Sequence, residues 1–158
     1  MRRSLSLVVA LAAVAAGSVN AQGTSGSINA TASVVAALSV TGTDLVFGNI
    51  APTSFKTVAP ATGGTFTVTG AASQPVSVSF ALPATLGNAA VAIGSWTGLS
   101  NTSNTTAGAS GITPQASTQT LSLSGAGDLY LWVGATVTTT AAPVGSYTAP
   151  VTLTVVYN

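Results

Sequence analysis

Gly145-Ser146-Tyr147-Thr148-Ala149-Pro150-Val151-Thr152-Leu153-Thr154-Val155-Val156-Tyr157-Asn158 closes the chain and decides its fold. From Tyr147 onward every odd position is apolar: Tyr147, Ala149, Val151, Leu153, Val155 and Tyr157. The even positions are mostly polar, with Thr148, Thr152, Thr154 and Asn158 among them. Period-two alternation of this kind predicts one long strand with a buried face and a wetter face. Such a strand must pair on at least one side, so the identity of its partner is the functional question.

A second run of the same kind lies near the other end. Ile28, Ala30, Ala32, Val34, Ala36, Leu38 and Val40 alternate mainly with Asn29, Thr31, Ser33 and Ser39, which predicts an N-terminal strand over residues 28–40. Between the two runs, shorter apolar alternations recur at 45–48, 64–69, 76–82, 89–96, 118–124 and 129–137. Gly- and Pro-containing turns separate them, and residues 98–111 read as a Ser/Thr/Asn/Gly surface loop. About seven to eight short strands with turn signals between them predict an all-β, immunoglobulin-like β-sandwich with almost no helix.

Residues 1–21 have the form of a secretory signal peptide. Arg2 and Arg3 precede a short apolar stretch, and Val19-Asn20-Ala21 is a small-residue cleavage site. The apolar stretch is shorter than the roughly 20 residues that a membrane-spanning helix needs. The expected organisation is a signal peptide at 1–21, a flexible leader at 22–27, the N-terminal strand at 28–40 and a sandwich domain at 41–158. Export through the periplasm to the outside of a bacterium is the expected destination.

Charge is almost absent beyond the signal peptide, where Asp44, Lys56 and Asp128 are the ionised side chains. A chain with so little charge has little electrostatic protection against self-association. There is no His, no Cys and no Glu. General acid–base catalysis would have to be assembled from two Asp and one Lys. The usual imidazole and thiolate ligands of zinc or copper are missing, and the phosphates of nucleic acid would meet hardly a cation. The inventory therefore predicts no enzyme, no metal site, no cofactor and no nucleic-acid partner.

Two strand runs bracketing one domain admit two readings. They are edge strands of a closed, self-contained sandwich, or one molecule's run completes the sheet of the next. The C-terminal segment resembles that of chaperone–usher fimbrial subunits, which carry a glycine fourteen residues before the end and a penultimate aromatic. Gly145 and Tyr157 stand at those positions. The stretch TASVVAALSVTGTDLVFGNIAP at 31–52, LYLWVGATV at 129–137 and GSYT at 145–148 also resemble spore coat U-type subunits, and a related bacterial secreted family of unknown function shares the layout. The spore coat U type usually carries a cysteine near the position of Leu38; this chain has none.

The resemblance implies a sandwich short of one strand, completed by a donor strand from a neighbouring copy. It implies Ile28, Ala30, Ala32 and Val34 as donor side chains, and Gly145, Tyr147, Val151, Leu153, Val155 and Tyr157 as the acceptor groove and C-terminal strand. The implied partners are other copies of the same chain, a periplasmic chaperone and an outer-membrane usher. The implied role is a structural subunit of an extracellular filament. The alternatives are a self-contained secreted coat or matrix protein and a sugar-binding adhesin in which Trp96, Tyr130 and Trp132 stack on saccharides.

Overall fold

The computed structural model describes residues 27–158, so the signal-peptide reading of 1–21 and most of the leader reading of 22–27 fall outside the described residues. The chain up to Ser33 and the chain from Val34 onward form separate units. Residues 27–33 are exposed throughout and carry no strand.

From Val34 the chain is all-β and sandwich-like, with nine strands in two antiparallel sheets and, among the described residues, no α-helix. The strands are β1 (Ser39–Thr43), β2 (Ser54–Val58), β3 (Gly64–Thr69), β4 (Pro75–Ala81), β5 (Val91–Asn101), β6 (Ser110–Ile112), β7 (Gln119–Ser122), β8 (Asp128–Thr139) and β9 (Thr152–Tyr157). The larger sheet runs β1-β3-β8-β5-β6, with β2 also on β8. The smaller sheet runs β7-β4-β9.

The twelve-residue β8 is the spine of the larger sheet. Leu129, Leu131, Val133, Ala135 and Val137 project to its buried face, as their alternation requires. One edge of β8 pairs with β5, and the other is shared between β3 (Gly64↔Val133 to Thr69↔Asp128) and β2 (Val58↔Ala135 to Ser54↔Thr139). A 3-10 turn at Pro60–Thr62 carries the chain from β2 to β3. The crossing is tight: a side chain on Gly63 would meet the Val133 carbonyl oxygen, and one on Gly134 the Val58 carbonyl oxygen. Only glycine lets the two backbones approach so closely.

The core has two parts. In the first, Val68, Leu129, Leu131 and Val133 face Val76, Val78 and Phe80 of the smaller sheet, and Phe66 meets Phe80 edge-on at 6.2 Å. In the second, Val91, Ile93, Ala135 and Val137 of the larger sheet pack with Phe47 and Ala142. No strand of the smaller sheet reaches over this second half. β4 ends at Ala81, just before Pro83, and its ladder with β9 ends at Ala81↔Thr152.

Several expectations from the sequence are altered here. The N-terminal strand expected at 28–40 is a strand only from Ser39, because residues 27–38 have no neighbouring strand to pair with. Thr41-Gly42-Thr43, read as a turn, lies inside β1 paired to β3. The strand expected at 45–48 is an unpaired segment. β2 was not anticipated, since its one large apolar residue, Phe55, is 71% exposed on the outer face and leaves no apolar alternation to read. The weak strand at 89–96 is the eleven-residue β5, and the loop expected at 98–111 contains its end and β6. A bulge between Gly94 and Thr97, with Ser95 at φ 51°, interrupts the period, so the period-two reading stops at 96 before the strand does.

Candidate functional site

The uncovered half of the larger sheet is the floor of an open slot of about 950 Å³. Val91, Ile93, Val133, Val137 and Leu86 lie beneath it. One wall is residues 44–52, the continuation of β1; the other is residues 143–151, the approach to β9. Leu45, Phe47 and Ile50 turn inward from the first wall, Tyr147, Ala149 and Val151 from the second. Among the described residues, Asp44 is the one charged residue lining the slot.

The second wall explains the C-terminal alternation. Odd positions from Tyr147 to Tyr157 are all half-buried and even positions from Thr148 to Asn158 all exposed. The alternation holds along the whole run, yet only Thr152–Tyr157 is laddered. From Tyr147 to Val151 the inward–outward pattern runs on with no strand beside it, whereas on the facing wall Leu45 and Phe47 turn inward, Gly48 at φ 67° breaks the parity, and Ile50 is the next to turn in. Two segments outside any strand ladder therefore flank an apolar floor.

Both ends of the slot are pinned. At one end the Thr139 hydroxyl donates to the Ala51 carbonyl (2.7 Å) and accepts from the Ser54 N–H (3.0 Å), and the Ala142 N–H donates to the Pro52 carbonyl (2.9 Å). Past the far end, the Tyr157 hydroxyl donates to the Ala36 carbonyl (2.7 Å) and accepts from the Ala71 N–H (2.6 Å). Between these pins the chain 36–52 runs antiparallel to the chain 142–157.

The acceptor residues singled out in the sequence thus divide. Gly145, Tyr147 and Val151 line the slot. Leu153, Val155 and Tyr157 lie beyond it and pack against the first core cluster. Ile28, Ala30, Ala32 and Val34 are all exposed, Ile28 and Val34 each at 97%, while Leu38 packs against the core and Ser39 opens β1. Sequence reasoning missed the floor: Val91, Ile93 and Leu86 sit in a segment that reads as weak strand and loop, and Leu45 and Phe47 read as a strand rather than as a wall.

The aromatic residues considered for sugar stacking have other surroundings. Trp132 is 6% exposed with Tyr130 stacked on it at 6.2 Å, and Trp96 packs against the second core cluster. Comparison with protein-family models, with curated proteins and with solved structures finds no match for this chain.

Proposed function

We propose that this protein is the structural subunit of an extracellular filament, built head-to-tail by strand addition. The arm containing Ile28, Ala30, Ala32 and Val34 of one copy lies in the slot of the next, between residues 44–51 and 145–151. The observation that carries this reading is the slot: two wall segments outside any strand ladder over an apolar floor. A strand laid between them would hydrogen-bond along the walls and turn alternate side chains onto Val91, Ile93 and Val137.

The lengths agree. The arm from Ile28 to Val34 has as many residues as the wall from Gly145 to Val151, each spanning about 23 Å when extended. Each Ile or Val buried contributes roughly 1.5–3 kcal/mol, and alanines contribute less. Ile28 and Val34 are therefore the expected anchors, with Ala30 and Ala32 passing over the shallow middle.

The polarity also agrees. The clamp on Ala36 sits at the Tyr157 end of β9, whereas the slot lies beyond its Thr152 end, about 20 Å away along a six-residue strand. A contact between two different patches at opposite ends is heterologous and does not close on itself, so it propagates as a fibre. Near-absence of charge suits a protein that stacks on copies of itself. The resemblance to chaperone–usher subunits adds a periplasmic chaperone and an outer-membrane usher as partners in export, and the immunoglobulin-like completion of the sandwich as the outcome of assembly.

The test is electron microscopy of the exported protein beside a deletion of residues 23–34. Filaments from the full chain and monomers from the deletion are expected. Filaments of normal length from the deletion would sink the proposal, and a stable full-length monomer would favour the self-contained secreted sandwich.

A further inference from the structure

We infer that the Tyr157 phenol is a positioning residue for the joint between subunits: it fixes the residue at which the free N-terminal arm begins. The inference rests on the filament reading above. Tyr157 ties three parts of the chain together. Its ring, on the last residue of β9, packs against the first core cluster. Its hydroxyl accepts from Ala71 N–H in the β3–β4 turn and donates to the carbonyl of Ala36, ahead of β1.

The site is built for the hydroxyl and not for the ring alone. A side chain on Gly70 would lie 2.5 Å from the Tyr157 oxygen, 2.8 Å from Leu38 and 3.0 Å from Leu123, so a larger residue there would press on the oxygen that reaches both partners. Burial in the core needs a ring; it does not need a donor and an acceptor aimed at two separate backbone segments. What the hydroxyl adds is the attachment of Ala36. Without it the first fixed points are Leu38, packed on the core, and Ser39, laddered to Thr69. The free arm then lengthens by two or three residues, roughly 7–10 Å of extended chain. In a filament that length is slack between one subunit and the slot of the next.

The experiment compares the full exported chain with Tyr157→Phe, which keeps the ring, and with Tyr130→Phe, which loses a hydroxyl on β8 away from the slot lining. Hydrogen exchange at the Ala71 amide and limited proteolysis over residues 35–38 are read on each. In Tyr157→Phe, Ala71 exchange is expected to rise at least tenfold and cleavage at 35–38 to appear, while Tyr130→Phe matches the unaltered chain in both. Filaments of Tyr157→Phe are expected to form but to bend more, with a shorter persistence length. Unchanged Ala71 exchange and unchanged cleavage would overturn the clamp. Both clamp effects with filaments of unaltered stiffness would overturn its positioning role. An unaltered chain that never forms filaments would overturn the joint itself, and the exchange and cleavage readings would still decide the clamp separately.

Discussion

The Ala142 N–H donates to the Pro52 carbonyl across 2.9 Å, and from that bond the chain runs away on both sides as the two walls of the slot. Thr139 holds the same junction through Ala51 and Ser54. This junction and the Tyr157–Ala36 bond tie the chain 36–52 to the chain 142–157 at opposite ends.

Thr139 is 7% exposed, and its hydroxyl serves a carbonyl and an amide at once. Thr139→Val keeps the shape and removes the polar atom, leaving Ser54 N–H and Ala51 C=O without that partner. The expected loss is about 1–3 kcal/mol. Urea denaturation of the arm-deleted monomer measures it.

Ala141 sits at φ 49°, in the left-handed region that costs a non-glycine residue about 1–2 kcal/mol. Glycine removes that strain and adds about 0.5–1 kcal/mol of unfolded-state entropy. Ala141→Gly is therefore expected to stabilise the domain by up to about 1.5 kcal/mol, read as a higher urea midpoint at unchanged slope.

Ile28 and Val34 touch almost nothing in the single chain, being 97% exposed. Ile28→Asp and Val34→Asp are expected to leave the melting temperature of the monomer unchanged and to abolish filaments, because a carboxylate cannot enter the apolar slot without a partner. Calorimetry and micrographs of the same preparation check both halves. Surface side chains without a role would give unchanged filaments.

A joint formed by apolar burial and ladder hydrogen bonds, with Asp44 on the slot lining and the Lys56 ammonium beside Gly48 as nearby charges, responds little to ionic strength. Filament yield is expected to stay constant between ~0.05 and ~1 M salt, although the screening length falls severalfold over that range. Sedimentation of the polymer measures it.

Much of this was legible in the sequence where one face is apolar and the other wet. The alternation of β8 and of residues 147–157 reads directly as burial, because a side chain's face in a strand is set by parity. Pairing is not legible in the same way. Residues 147–151 and 152–157 have one pattern, yet only the second half has a neighbour, since β4 stops before Pro83. β2 escaped because Phe55 faces outward, and the far end of β5, beyond residue 96, because the bulge at Ser95 shifts its parity. The slot is a property of what the smaller sheet fails to cover, and that depends on relative strand lengths across the sandwich.

Strand addition is tested most directly by giving the slot its strand in isolation. A synthetic peptide of residues 22–35 is added to the subunit lacking residues 23–34, and backbone hydrogen exchange is followed. The account predicts that the amides of Leu45, Phe47, Tyr147, Ala149 and Val151 include those that become protected, with β1–β9 otherwise unchanged. Protection absent from both walls at saturating peptide, or confined to other surfaces, would contradict it.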